Sequence, residues 1–368
     1  MNISFPLISR FNLLGHPANG MTPQVWFTLL GKFGFHWSML PKVFTIGLIT
    51  LLNYPFILME RKYFKKKISD MNVVAPIFIL GHARSGTTFL HYLMSKDDQF
   101  ATPKTYQTIL PNSFWFLGWI FKPMLSLFMP KTRPMDSMSM GPDEPKEEEF
   151  AVANMTSTSF ASAFYFPNHI EEIFNDSVLF RGDDQNKKKW QDTLLYYSKK
   201  ICVYQHHNFL LLKSPYNTAR IKEILEIFPD ARFIHVARNP NHVLKSMKKL
   251  LTNILPILSF QKTNGEVVED FVASSYIAVY KAYFVSKSFI PEHQLFEIKY
   301  EDLVKDPFDA LKNIYKKFHL QGIEEKKEDF TSHIASYKSY KADSYQADEG
   351  QLPENDELKK ISVLLGYQ

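Results

Sequence analysis

Short apolar runs alternate with segments of helical periodicity from about residue 75 to residue 320. The runs contain mainly branched and aromatic residues, which is typical of strands buried on both faces. They lie at residues 76–80, 209–212, 232–236 and 295–298. Helical periodicity follows them, at residues 87–95, 219–228, 240–247 and 307–318. This alternation predicts an α/β fold in which helices cover both faces of a central parallel sheet.

The parts of the chain outside this pattern divide it into regions. Residues 1–70 are predicted to form an apolar helical N-terminal region, and residues 71–330 the main domain. Residues 101–205, after the first strand–helix unit, are rich in Pro, Met, Phe and Trp and show little strand pattern. They are predicted to be a helical insertion that forms the acceptor site, where the molecule that receives a transferred group would bind. Residues 331–368 are predicted to be a C-terminal loop and tail packed on the same domain.

Composition and charge narrow the classes of ligand. Of the 368 residues, 45% are hydrophobic, so a globular protein with a large core is expected. With 43 basic and 38 acidic residues the net charge is +5, which suits an anionic ligand or membrane surface and is too mild for nucleic acid. The single cysteine, Cys202, excludes an intrachain disulfide and a Cys-based zinc site. Nothing in these features assigns an oligomeric state.

The most apolar segment is residues 43–59, which are followed by basic residues up to 67. Three interpretations stay open: a buried helix, an interfacial membrane anchor beside a basic patch, and a membrane span. The N-terminus lacks the pattern of a signal peptide. We therefore expect a cytoplasmic protein, with peripheral membrane contact through residues 43–67 under the second interpretation.

Residues 81–88 (GHARSGTT) have the glycine spacing of a phosphate-binding loop between a predicted strand and a predicted helix. Backbone N–H groups in such a turn, together with the helix N-terminus, bind phosphate oxygens. A nucleoside triphosphatase has lysine after the second glycine, where this chain has Thr87, and no predicted strand ends in a Walker-B-type aspartate. The cation lies inside the loop instead, as Arg84. The loop therefore predicts phosphate binding with no metal ion.

A second anion site is predicted from Arg238 and Ser246. Arg238 ends the third predicted strand, and Ser246 lies eight residues later on the next helix. Eight residues are just over two helical turns, so both side chains can meet one anion. Two separated phosphate sites indicate the donor 3′-phosphoadenosine 5′-phosphosulfate (PAPS), with its 5′ end in the loop and its 3′-phosphate on this pair.

These motifs resemble those of the PAPS-dependent sulfotransferases, in particular the broad group of such proteins in bacteria. The resemblance is carried by residues 76–91 (PIFILGHARSGTTFLH) and 233–240 (FIHVARNP) with Ser246, and more weakly by 132–136 (TRPMD) and 142–150 (PDEPKEEEF). It extends from about residue 46 to about residue 320. It implies a P-loop-type α/β fold and a transferase that moves a sulfuryl group without a metal ion.

The resemblance also implies roles for individual residues. The 5′-phosphosulfate loop would be Arg84, Ser85, Gly86, Thr87 and Thr88. Arg238 and Ser246 would bind the 3′-phosphate. Lys213 matches a strand-end lysine that stabilises the transferring sulfonate in cytosolic sulfotransferases. Those enzymes have a histidine base two residues later, where this chain has Pro215.

The general base must therefore come from elsewhere, and Glu147 is the first candidate. Tyrosylprotein sulfotransferases use a glutamate about 21 residues after the loop arginine, but residues 104–107 (KTYQ) contain no carboxylate. Glu147 lies three residues before Phe150 and shares its apolar face on a helix. Glu148 and Glu149 are expected to face solvent. A structural role for Glu147 stays open, because acids in a first helical turn also favour the helix dipole.

Asp136 and His82 are the other two candidate bases. Asp136 lies in the stretch that resembles the family, and its alternative role is an ion pair with Arg133. His82 lies within the phosphate loop, where it could accept the proton or contact the sulfonate. Its alternative role is a hydrogen-bonded core histidine.

The acceptor is predicted to be a small molecule or a glycan with a hydroxyl group. Aromatic residues of the insertion, such as Trp115 and Trp119, favour an apolar or amphiphilic acceptor such as a lipid, and they also stack on sugars. Two other classes stay open. One is a P-loop kinase of a nucleotide or sugar, which the missing loop lysine disfavours. The other is a non-catalytic, membrane-associated nucleotide-binding module.

Overall fold

The computed structural model describes residues 13, 15–130, 132, 138–263, 265–338 and 355–367. The strands are β1 (Val74–Leu80), β2 (Phe100–Ala101), β3 (Phe209–Lys213), β4 (Arg232–Ala237) and β5 (Leu295–Lys299). The helices before β3 are α1 (Pro23–Phe33), α2 (Leu40–Asp70), α3 (Thr87–Met94), α4 (Thr105–Ile109), α5 (Phe114–Phe128), α6 (Glu148–Met155), α7 (Ile170–Ser177) and α8 (Asp184–Gln205). The later helices are α9 (Ile221–Ile227), α10 (Pro240–Leu258), α11 (Gly265–Ser286), α12 (Tyr300–Lys305), α13 (Pro307–Phe318), α14 (Lys327–Lys338) and α15 (Asp356–Leu364).

The five strands form one parallel sheet in the order β2-β3-β1-β4-β5. The central strand β1 pairs Ile79 with Lys213 of β3 and Leu80 with His235 of β4. Its side chains alternate between two buried apolar clusters, one on each face of the sheet. The predicted α/β fold, with helices on both sides of a parallel sheet, is confirmed.

Most predicted elements lie within a few residues of their predicted bounds. Helix α13 begins after Asp306, whose carboxylate accepts the Asp309 N–H at 3.0 Å, and ends at His319 in a left-handed conformation. Strand β2, at the sheet edge, has only two residues, too few to give a periodic signal, and it was not predicted. Helices α4 to α8 fill the region between β2 and β3, as the helical insertion requires.

The N-terminal helices pack on the same core as the sheet. Val25 and Ile46 belong to the buried cluster that contains Phe78 of β1. Among the described residues, one helical stretch, Trp37–Asp70, is long and apolar enough to cross a membrane by length and composition, and 33% of its most apolar window is buried. The predicted boundaries at residues 70 and 330 remain predictions.

Helix α2 is attached to the body by a buried ion pair between Glu60 and Lys200 of α8. Each side chain is 1% exposed. The Lys200 ammonium also donates to the Pro111 carbonyl and lies 4.5 Å from the centre of the Phe114 ring. The Glu60 carboxylate in addition accepts the Trp115 N–H at 2.9 Å. One buried charge pair thus joins α2, α5 and α8.

Replacing Lys200 with methionine is expected to destabilise the fold by about 3–5 kcal/mol, because Glu60 would stay buried without its cation. Chemical denaturation measures this change. The double variant Glu60→Gln, Lys200→Met should recover most of the loss, and Lys199→Met, at a partly exposed neighbour, should change stability little. A single variant as stable as the double variant would contradict this account.

Candidate functional site

The candidate site lies at the carboxyl ends of β1, β3 and β4, where residues 81–88 connect β1 to α3. Gly81 has φ +130° and Gly86 has φ +89°. A Cβ atom on Gly81 would lie 2.4 Å from the Val236 carbonyl oxygen, and one on Gly86 would lie 2.2 Å from the Tyr300 ring. The loop can therefore take this path only with glycine at both positions.

Arg84 connects the loop to the predicted 3′-phosphate site. Its backbone has φ +75°, a left-handed conformation that is uncommon for a non-glycine residue. Its Nε atom donates to Ser246 Oγ at 2.8 Å, and its carbonyl oxygen accepts from Arg238 Nη1 at 2.9 Å. The Arg238 guanidinium lies 4.3 Å from the centre of the Tyr300 ring. The structure thus brings Arg84, Arg238 and Ser246 together in one cluster of partly or fully buried side chains.

Lys213, Glu147 and Thr88 meet on the other side of the loop. The Lys213 side chain, at the end of β3, is 3% exposed, and its ammonium forms an ion pair with Glu147 Oε1. It also lies 3.3 Å from Thr88 Oγ1, in the first turn of α3. Glu147 is the residue before α6, and its side chain is 22% exposed. The Lys213 ammonium is therefore within hydrogen-bonding reach of both a carboxylate and the phosphate loop.

Glu148 and Glu149 were expected to face solvent, and this expectation is wrong. Helix α6 begins at Glu148, and its first turn points into the body, where both residues are at most 2% exposed. Glu148 accepts the Lys213 N–H at 3.2 Å and the Asn217 side-chain amide at 2.6 Å. Burial raises the pKa of Glu148 to about 7, and the neighbouring glutamates act in the same direction.

Glu149 pairs with a buried arginine. Its carboxylate accepts from Arg220 Nη1 at 2.6 Å, from the Ser159 hydroxyl at 2.8 Å and from the Phe160 N–H at 2.8 Å. The Arg220 side chain is fully buried and also donates to the Ser177 carbonyl at 2.6 Å. This network fixes α6 against the turn that follows β3.

The remaining two base candidates have different positions. His82 is buried, its ring lies 4.9 Å from the Tyr276 ring, and its Nδ1 atom is 3.0 Å from the Ala83 carbonyl oxygen. Burial lowers the pKa of His82 to about 4, which makes it a weak proton acceptor at neutral pH. Asp136 lies outside the described residues.

Two contacts of the loop were missed by the sequence reasoning. Tyr300 packs against both Gly86 and Arg238, and the Thr218 hydroxyl accepts the Gly81 N–H at 2.8 Å. Tyr300 directly follows β5, so the rule that ligands bind at the carboxyl ends of parallel strands could have identified it. Thr218 gives no such signal, because it lies in a short 3-10 turn, Pro215–Ala219, after β3.

A surface cavity of about 1080 Å³ lies away from this site. Its lining includes Asn208, directly before β3, and Asn72, just before β1. These residues are at the amino ends of the strands, whereas Lys213 and the loop lie at the carboxyl ends. The convergence of motif residues, and not this cavity, therefore identifies the candidate site.

Comparison with known proteins agrees with this geometry. A curated relative, the omega-hydroxy-beta-dihydromenaquinone-9 sulfotransferase Stf3 of Mycobacterium bovis, is 28% identical over 331 residues, which cover 89% of this chain and 84% of the relative. The same enzyme of Mycobacterium tuberculosis matches equally well.

Solved structures show the same fold. Sulfotransferase STF1 of Mycobacterium tuberculosis superposes with a TM-score of 0.67 at 16% identity, over 93% of this chain and 90% of that one. Sulfotransferase STF9 of Mycobacterium avium superposes with a TM-score of 0.63 at 18% identity, over 94% and 95%. The model of the sulfotransferase family matches residues 76–325, a range that contains the loop, Glu147, Lys213 and the Arg238–Ser246 pair. The chain therefore belongs to the sulfotransferase family.

Proposed function

We propose that this sulfotransferase moves the sulfuryl group of PAPS to a hydroxyl group of an apolar or amphiphilic acceptor. The observation that carries the proposal is the meeting of Glu147 and Lys213 beside Thr88. A cation and a carboxylate at the end of a phosphate loop supply the two groups that this transfer needs. One stabilises negative charge and the other removes a proton.

The loop and the Arg84 cluster would bind the two ends of the donor. Backbone N–H groups of residues 85–88, at the N-terminus of α3, would hold the 5′-phosphosulfate. Arg238 and Ser246 would hold the 3′-phosphate, and Arg84 of the loop is hydrogen-bonded to both of these residues. Tyr300 supports both ends, because it packs on Gly86 and on Arg238. These contacts support a donor with two separated phosphate groups.

In the proposed reaction the acceptor oxygen attacks sulfur while the bond from sulfur to the 5′-phosphate oxygen breaks. Glu147 takes the acceptor proton, and adenosine 3′,5′-bisphosphate leaves with the electron pair of the broken bond. Lys213 would then turn from Glu147 to the bridging oxygen, where negative charge develops. Glu147 is the favoured base, because Glu148 and Glu149 are buried against other partners and burial lowers the pKa of His82 to about 4.

The acceptor class rests on the relatives and on the aromatic insertion. The relative from Mycobacterium bovis is named for an omega-hydroxy-menaquinone acceptor, a long apolar molecule with a hydroxyl group. In this chain the insertion is rich in Phe and Trp, which suit an apolar acceptor and also stack on sugars. The name of the relative therefore decides the proposal in favour of a lipid-like alcohol over a sugar.

The first prediction concerns donor binding. Arg238→Ala is expected to weaken the binding of adenosine 3′,5′-bisphosphate at least about 30-fold, because the 3′-phosphate would lose a charged partner in a partly buried site. Isothermal titration calorimetry measures the affinity in the presence of EDTA. Lys222→Ala, which removes an exposed cation elsewhere, is the control. Unchanged affinity in Arg238→Ala would remove the assignment of the 3′-phosphate site. A wild type that binds no adenosine 3′,5′-bisphosphate would favour a non-catalytic module whose nucleotide site is degenerate.

The second prediction concerns the base. Glu147→Gln is expected to keep donor affinity and lose about 10²–10⁴ in kcat, because glutamine still accepts from Lys213 but cannot take a proton. The control is Glu144→Gln, three residues upstream, which should retain turnover. Full turnover in Glu147→Gln would move the base to Asp136 or His82, and His82→Gln and Asp136→Asn would then be compared in the same assay.

The third prediction concerns the acceptor. With labelled sulfuryl donor, long-chain and prenyl alcohols in detergent are expected to become labelled, whereas phenols and sugar alcohols of similar concentration are not. The assay is run in EDTA, because the site residues supply the positive charge. Labelling of sugars alone would contradict the acceptor class and leave the donor assignment standing. Transfer that required Mg²⁺ and ATP would instead favour a kinase.

A further inference from the structure

Helix α2 carries apolar residues on both faces. On its buried face, apolar residues such as Ile46 and Ile57 are interspersed with polar ones. The polar residues, each at most 4% exposed, are Lys42, Thr50, Asn53 and Glu60. Its other face, called the outer face here, is apolar and exposed by 41–69%. The outer face consists of Phe44, Leu48, Leu51, Leu52, Leu58, Met59 and Tyr63. Soluble helices place apolar residues against the core, so the outer face indicates a partner other than water.

Exposed apolar side chains concentrate around this helix. Of the 21 large apolar side chains that are exposed among the described residues, 15 lie in the segments 27–63 and 119–128. The second segment belongs to α5, which packs beside α2 through stacked rings of Phe64 and Trp115, 3.9 Å apart. Trp37, just before α2, and Trp119 of α5 are 79% and 74% exposed. This concentration is too local to be the scattered apolar exposure of ordinary protein surfaces.

The carboxyl end of α2 adds positive charge beside the outer face. A basic cluster of five exposed side chains lies within two turns, at Arg61, Lys62, Lys65, Lys66 and Lys67. An apolar helical face with adjoining Lys and Arg residues is typical of helices that lie in the interface of an anionic bilayer. The outer face and helix α5 contain no acidic residue with which the cluster of a second copy could pair. Charge therefore favours a lipid surface over a second copy of this chain.

The packing of α2 decides how its axis would be oriented relative to a bilayer. Near its start, the Lys42 ammonium donates to the carbonyls of Ile257 and Ser259 at 2.7 and 3.1 Å. Five turns later, ten residues before the helix ends, Glu60 pairs with Lys200 in the interior. A helix bound to the polar body along this length cannot cross a bilayer alone. Its axis must run along the membrane plane, with the outer face toward the lipid.

We propose that the outer face, with the exposed residues of α5 and the basic cluster, is a docking surface for an anionic lipid bilayer, and that the protein binds the membrane from one side. This inference rests on no step of the proposed reaction. It concerns only the binding of the protein to a bilayer, and it would hold equally if the acceptor were water-soluble.

Vesicle flotation with the full-length protein tests the surface. The wild type is expected to float with vesicles of phosphatidylcholine and phosphatidylglycerol, and the triple variant Phe44→Gln, Leu48→Gln, Leu52→Gln to bind at least tenfold more weakly. Each lysine of the basic cluster replaced by glutamine should weaken binding about fivefold on anionic vesicles and little on neutral ones. The control is Val285→Gln, Phe289→Gln, which removes exposed apolar residues elsewhere and should float like the wild type.

Tryptophan fluorescence gives a second measurement. Brominated lipid should quench Trp37 and Trp119. In Trp37→Phe, Trp119→Phe the quenching should fall to what the half-buried Trp115 of α5 contributes, because Trp26 and Trp190 are at most 2% exposed. A wild type that floats with no vesicles, or a triple variant that floats as well as the wild type, would overturn the proposal. So would a stable dimer in light scattering that the triple substitution converts to a monomer without any vesicle binding. Turnover on a prenyl alcohol in detergent, without vesicles, should be equal in the wild type and the triple variant. This assay separates a failure of the reaction from a failure of membrane docking.

Discussion

Three consecutive carboxylates at the amino end of α6 hold together the elements from which the site is built. Glu147 pairs with the Lys213 ammonium, Glu148 accepts the Lys213 backbone N–H, and Glu149 pairs with Arg220. Adjacent residues at a helix start point in different directions, so each acid reaches a different part of the segment that follows β3. Burying Glu148 and Glu149 is costly, as the raised pKa of Glu148 shows. That cost is offset only while Lys213, Asn217 and Arg220 keep their positions.

The burial of the acidic run also decides which of its three carboxylates can act at the site. Because Glu148 and Glu149 are buried against the segment after β3, only Glu147 stays partly exposed beside the phosphate loop. Its partner Lys213 lies in register with Ile79 of β1, one residue before that strand ends and the loop begins. The sheet therefore sets the distance from the cation to the loop, and the acidic run sets the distance from the cation to the carboxylate.

The sequence predicted the parts of this arrangement that are local. Apolar runs located four of the five strands, and the glycines of residues 81–88 located the loop, because a strand and a tight turn depend on neighbouring residues. Contacts over long separations were not predictable. The Glu148 and Glu149 partners lie about 65–71 residues away, and Arg84 meets Ser246 across 162 residues. For residues 43–59 the apolar composition predicted three possible roles for the segment. It did not predict which face of the helix is buried, since only packing decides that.

The orientation of the outer face of α2 affects the side from which an acceptor would approach Glu147, the proposed base. The turn Pro17–Gly20 lies between α2 and α6, and Asn154 of α6 holds it by donating to the Pro17 carbonyl at 2.7 Å. The Thr22 N–H, at the start of α1, donates in turn to the Asn154 carbonyl at 3.1 Å. Helix α6 begins one residue after Glu147, so the helix that positions the proposed base is hydrogen-bonded to the N-terminal region that carries the outer face. If that face lies on a bilayer, the height of Glu147 above the lipid is set by this packing. A lipid-like acceptor would then present its hydroxyl group to the site from a fixed side, and an acceptor dissolved in water would gain nothing from the arrangement.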